Sequence, residues 1–174
     1  MKSGLDQLLA DETLRKGLRG RRIALLAHPA SVTSDLRHSL DALAALPDLN
    51  VTSAFGPQHG LRGDKQDNMA ESPGFTDPVH GIPVFSLYGD VRRPTPAMLD
   101  TFDVLLVDLQ DLGCRIYTFI TTLRYVLEAA AAQGKSVLYY TSELEEVQLV
   151  CDRVVVIFGG RVVDAFPAEL ADEA

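Results

Sequence analysis

The chain has no tryptophan, only two cysteines among its 174 residues, and no surplus of positive charge. Each shortage removes a class of function. Cys114 and Cys151 form no CxxC pair, so they read as small apolar residues rather than as a redox dithiol or a metal site. Sixteen Lys and Arg face 24 Asp and Glu, a net charge of −8. No basic block exceeds the short cluster of Arg19, Arg21 and Arg22, so no field draws a phosphate backbone and no nucleic-acid partner is expected. No stretch approaches the ~20 apolar residues of a membrane span. The opening MKSGLDQLLADE carries acids where a signal peptide needs an apolar run, so a soluble chain without a leader and without a membrane partner is expected. No GxxxxGK[ST] occurs, and nothing else would cradle the phosphates of ATP, which is not expected to bind. No cofactor and no metal are implied.

What remains is ample for a core. Apolar residues make up 47% of the chain, and one domain near this size buries roughly 70% of its unfolded surface. β-branched runs recur at Arg22 to Ala27, Val51 to Phe55, Val84 to Leu87, Val104 to Asp108 and Val137 to Tyr140. Helical spacing separates several of them. Leu36, Leu40, Leu43 and Leu46 form one stripe behind a Ser34 or Asp35 cap, and Ile116, Ile120, Leu123 and Leu127 form another within a helix over 116–132. Strand alternating with helix predicts an α/β, three-layer, Rossmann-like domain with a mostly parallel sheet. DRVVVIFGGRVVDAF then predicts a C-terminal antiparallel hairpin turning at Gly159 and Gly160.

Such sheets bind ligands beyond the carboxyl ends of their strands. The segments leaving the first, second and VLLVD strands hold His28, Gln58, His59, Arg62, Asp67, Glu71, Asp108, Asp111, Arg115 and Tyr117. Glu71, Asp108 and Asp111 offer carboxylates, and Arg62 or Arg115 could grip a ligand carboxylate with both arms. Bland alternatives stand beside these roles. Asp108 could cap a turn, Arg115 could pair with Asp111, and His28 could satisfy a backbone group.

FGPQHGLRGDKQDNMAES, IPVFSLYGDVRRPTPAML and DVLLVDLQDLGCRIYTFITTLRYVLEAA, within residues 4–132, resemble the N-terminal domain of the exo-β-N-acetylmuramidase family. The resemblance implies a glycosidase of peptidoglycan-derived amino sugars, with a Rossmann-like first domain and a second domain to follow. It implies Gln58, Glu71 and Asp111 as catalytic candidates, and His28, His59, Arg62, Asp67, Asp108, Arg115 and Tyr117 as candidates for holding the sugar. Gln58 departs from the pattern. It stands where many members carry Glu, and an amide cannot act as the general acid of glycoside hydrolysis.

From about 131 to 166 the chain resembles a second family, the ATPase subunits of sugar-importing ABC transporters. Ser142 falls where many of those ATPases place a switch histidine, although Ser142 with Glu145 also reads as a capping box. The two resemblances meet in AAAQGKSVLYY, a helix-then-strand unit that both families could share. The expectation is therefore a single domain over 1–174 with a muramidase-like part, 1–132, and an ABC-ATPase-like part, 133–174. Such a chimera inside one domain is more readily made by engineering than by natural fusion, and little or no catalytic activity is expected of it.

Overall fold

The computed structural model describes residues 3–63, 71–109, 118–135, 151–158 and 161–170. They fall into two compact units, Met1–Ala129 and Ala130–Ala174. In the first, strands β1 (Arg22–Ala27), β2 (Asn50–Gly56), β3 (Phe75–Thr76), β4 (Pro83–Ser86) and β5 (Val104–Asp108) form one sheet in the order β3-β4-β2-β1-β5. β1, β2, β4 and β5 are parallel, and only the short edge strand β3 runs against its neighbour.

β1 is central and reads RIALLA because both of its faces are covered. Ile23, Leu25 and Ala27 join Leu40, Leu43 and Ala54 in a cluster on one face, against α1 (Gly4–Ala10) and α3 (Ser39–Ala44). Ala24 and Leu26 join Phe55, Leu99, Phe102 and Val126 on the other, against α4 (Pro96–Leu99) and α5 (Phe119–Ala132). These are the three layers that the alternation of strand and helix predicts. A short α2 (Glu12–Arg15) follows α1, and Arg15 ties it back to the carbonyls of Leu8 and Leu9 and to Asp48.

The ladder between β1 and β2 is irregular. Ile23 pairs with Val51 but Ala24 with Ser53, leaving Thr52 as an extra residue. Its hydroxyl donates to the carbonyl of Thr101 at 2.9 Å. Beyond this bulge Ala54 lies on the α3 face and Phe55 on the α5 face.

Two helix details differ from the sequence reading. α3 begins at Ser39 rather than behind Ser34 or Asp35. Thr33 exchanges backbone and hydroxyl bonds with Arg37, and the N–H of Leu36 bonds to the Thr33 carbonyl. That tight turn holds Leu36 at φ 64° and leaves it 81% exposed, outside the core stripe. In α5 the buried positions are Phe119, Thr122, Leu123, Val126 and Ala130, while Ile120 is more than half exposed. The apolar stripe is thus rotated by about one residue from the expected one. The strand expected at 137–140, the helix at 143–150 and Cys114 lie outside the described residues.

In the second unit β6 (Arg153–Phe158) and β7 (Arg161–Pro167) pair antiparallel, the predicted hairpin, with Val154 opposite Phe166 and an irregularity after Val156. Its turn, Gly159 and Gly160, lies outside the described residues. Among those residues, no helix is long and apolar enough to cross a membrane.

Phe55 is 1% exposed and meets Phe102 edge-on at 5.9 Å between ring centroids. Phe55→Ala should lower the unfolding free energy by about 3–5 kcal/mol, measured by urea denaturation.

Candidate functional site

The carboxyl ends of β1, β2, β4 and β5 all open on one edge of the sheet, because these strands are parallel. β1 is followed by β2 on one side while β5 lies on its other side, so the strand order reverses between β1 and β5. Crevices form at such reversals.

His28 leaves β1 there and is 4% exposed. Its backbone N–H donates to Ser31 Oγ at 2.9 Å, and the Ser31 hydroxyl donates in turn to the carbonyl of Asp108 at the end of β5. Ser31 therefore staples the two strand ends that border the reversal. The His28 ring stacks on Phe119 at 4.5 Å, and its Nδ1 accepts the N–H of Ala30. Gln58 leaves β2, and its side-chain oxygen accepts the Thr118 hydroxyl at 3.1 Å. The start of α5 and the residue before it, Phe119 and Thr118, thus touch both loops. His28, Gln58, Asp108 and their ties to Ser31, Thr118 and Phe119 make one constellation.

The turn carrying Gln58 is tightly built. Gly60 N–H bonds to the Pro57 carbonyl at 3.0 Å, and His59 and Gly60 both have positive φ, 72° and 77°. His59 holds that conformation although it carries a Cβ, which costs roughly 1 kcal/mol. A Cβ on Gly56 would lie 2.9 Å from the Leu61 nitrogen, so only glycine lets this turn fold back onto the end of β2.

Arg62 is placed differently from Gln58. Its guanidinium makes two bonds to Asp41 of α3, both 2.8 Å, and a third to Asp77 at 3.1 Å. His80 Nε2 also meets Asp41, at 2.7 Å. Asp77 is 1% exposed and further accepts the N–H groups of Val79 and His80. The bonds from Arg62 hold the Asp41 carboxyl well below the usual carboxylate range, with His80 adding to the effect. Burial alone would raise Asp77, but the His80 and Val79 amides and Arg62 outweigh it and its value is lowered. In this arrangement Arg62 pins α3 to the turn between β3 and β4.

Glu71 is exposed and meets Arg92 at 3.3 Å, and the Arg92 guanidinium lies 3.6 Å over the Tyr88 ring. Tyr88 and Ser72 are joined by a backbone bond, which brings this pair to the end of β4. Asp67, Asp111, Arg115 and Tyr117 lie outside the described residues. Among the described residues no group of three or more His, Cys, Asp or Glu side chains is placed to hold a metal ion.

Sequence reasoning passed over His38. Its Nδ1 accepts the N–H of Leu40 at 3.2 Å, making the ring the N-cap of α3, while Nε2 lies 3.2 Å from the His28 carbonyl and 3.1 Å from that of Leu61. Burial pushes the imidazole below its ordinary value, and Arg62 adds to this against the opposing pull of the His28 carbonyl and Asp41. Ser31, Thr118 and Asp41 were likewise missed. Only Ser31, inside HPAS after a strand, carried a signal that could have marked it.

Parallel strands whose loops converge over a reversal of strand order define a crevice-bearing α/β protein of the doubly wound class. Residues 23–141 match the family model described as Exo-beta-N-acetylmuramidase NamZ, N-terminal, and the chain belongs to that family. The Peptidoglycan beta-N-acetylmuramidase NamZ of Bacillus subtilis (strain 168) is 45% identical over 134 residues, covering 77% of this chain and 32% of that protein. The crystal structure of a DUF1343 family protein from Bacteroides fragilis NCTC 9343 superposes with a TM-score of 0.65 at 41% identity, over 78% of this chain and 33% of the other. The chain therefore spans about a third of the length of these relatives. A shorter likeness exists to the Arabinose import ATP-binding protein AraG 2 of Burkholderia cenocepacia, 41% identical over 46 residues, which is 26% of this chain and 9% of that protein.

Stability should fall in two acid steps. The native His38 value lies below the unfolded 6.5, so its contribution is whole above that pH and is lost as the pH falls through it. Native Asp41 and Asp77 lie below the unfolded 3.8, so theirs is whole above that pH and is lost beneath it. Urea midpoints from pH 8 to 2 should show the upper step and the descent of the lower one. Arg62→Gln should cost roughly 2 kcal/mol at neutral pH and flatten the lower step.

Proposed function

We propose that this chain is the sugar-binding first part of an exo-β-N-acetylmuramidase-like glycoside hydrolase acting on peptidoglycan-derived amino sugars. The family match over residues 23–141 is the observation that carries the reading. The crevice at the carboxyl edge agrees with it, since His28, Gln58 and Asp108 gather there. Gln58 serves as a binder rather than an acid in this reading. Its oxygen is taken by Thr118, which leaves its NH2 to donate to a hydroxyl or acetamido carbonyl of the sugar. Glu71, Asp108 and Asp111 are the carboxyl groups left for acid, base or nucleophile. Hydrolysis needs two of them about 5–9.5 Å apart across the glycosidic bond. In the reading of the site by resemblance, His59, Asp67, Arg115 and Tyr117 complete the sugar contacts, and Arg62 works indirectly by fixing α3 to the turn between β3 and β4.

A piece spanning a third of its relatives should bind better than it turns over, because small errors of position cost about 100-fold in rate. The reading of two parents, with an ABC-ATPase-like part after about 133 within one domain, has in its favour weak, partial likenesses to ATP-binding import proteins, such as the 46-residue one to AraG 2. It speaks to the origin of that part. Function is read from the muramidase-family match, which extends over 134 residues.

A chromogenic β-glycoside of N-acetylmuramic acid, compared with that of N-acetylglucosamine, tests the proposal. Saturable binding that prefers the muramic sugar, with turnover near the blank, is expected. Equal indifference to both sugars would sink the reading. Gln58→Glu should not restore robust cleavage, and if it did, the rest of the relatives' length would be dispensable for catalysis.

A further inference from the structure

We propose that His38 is a positioning residue for the crevice, and that its uncharged ring with the proton on Nε2 holds the loop after β1 and the loop after β2 at their native separation. The proposal rests on the reading of the carboxyl edge as the ligand site.

The hydrogen bonds leave one protonation state that satisfies every partner. Nε2 lies between two carbonyl oxygens, of His28 and Leu61, which can only accept, so it must carry the proton. Nδ1 faces the N–H of Leu40, which can only donate, so it must carry a lone pair. Moving the proton to Nδ1 would break all three contacts, and adding a second proton would break the cap.

The two carbonyls belong to the segments that matter. The His28 carbonyl also accepts the Ser31 N–H at 2.9 Å, and Ser31 staples β1 to β5. Leu61 directly follows the turn that carries Gln58 and His59, which the Gly60 N–H closes onto the Pro57 carbonyl. One half-buried ring at the N-cap of α3 therefore spaces the His28–Phe119 stack from the Gln58–Thr118 bond. A residue serving only as a helix cap would need neither Nε2 contact.

The charged and titratable groups around the ring come from three elements. Asp41 belongs to α3, Arg62 to the segment after β2, and His28 to the loop after β1, with His80 acting through Asp41. The opposed signs of Asp41 and Arg62 partly cancel, so burial decides in favour of the uncharged ring.

Nuclear magnetic resonance on the whole 15N-labelled chain tests this without any ligand. At pH 8 the ring nitrogens of His38 should show the proton on Nε2. From pH 8 to 5 the amides of Ser31 and Gly60, one in each loop and neither bonded to the ring, should shift with the midpoint of the His38 ring. His38→Gln, which keeps a donor but does not titrate, should abolish that shared transition and leave the loop amides near their neutral positions. His38→Ala should quicken hydrogen exchange at both amides by about five-fold, the loss of one ordinary hydrogen bond. If only Leu40 and Asp41 follow the ring, His38 is a cap and no more, and the proposal is overturned. A proton found on Nδ1 overturns it as well. Loops that follow the ring in a chain indifferent to muramic sugars would leave His38 as assigned and defeat the functional reading instead.

Discussion

The rest of the first unit depends on the burial of β1 on both faces. A strand with paired backbone on either side and helices above and below has no free surface except at its ends. Beyond the exposed Arg22 at its start, RIALLA accordingly carries no functional group, and those five residues are fully buried. Polar side chains are displaced to the strand's exit, where the first residue is His28. Because β2, β4 and β5 run parallel to β1, their exits emerge on the same edge, and polar residues far apart in sequence gather there without any dedicated motif. The crevice is in this sense a by-product of strand direction.

What could be read in advance follows from that constraint. β1 is doubly buried and β5, although an edge strand with Val107 exposed, is likewise a continuous apolar run, so both were legible to the residue, and β2 and β4 to within one or two. The hairpin was legible because Gly-Gly between β-branched runs has few other uses. The start of α3 was not. Leu36 keeps helical spacing with Leu40, but Thr33 and Arg37 close a turn whose bonds outweigh the placement of one apolar side chain. Spacing records what is apolar, not where the backbone is committed. Ile120 failed for a related reason, since α5 meets the sheet through Val126 and Ala129 while Phe119 is buried against His28.

The site was half legible. His28, Gln58 and Asp108 could be named because they leave strands. Arg62 could be named as a cation, but nothing in its neighbours showed that Asp41 and Asp77 would occupy it. Those partners lie 21 and 15 residues away in sequence, in segments with no motif of their own. His38 was invisible because its role is geometric. Only the fold brings the carbonyls of His28 and Leu61 to one point.

The extra residue in β2 bears on how this chain tolerates change in length. Read as a plain alternation, VTSAF would put Val51, Ser53 and Phe55 on one side of the sheet. The bulge shifts the phase, so that Val51 and Ala54 share the α3 side and Phe55 faces α5. Loss of Thr52 would leave the downstream phase untouched, because Ser53 already pairs with Ala24. Straightening the strand with Thr52 retained would instead exchange the sides of Ala54 and Phe55 and turn the Gln58 loop to the opposite layer. Deletion is therefore the tolerated event at this point, and regularity the damaging one.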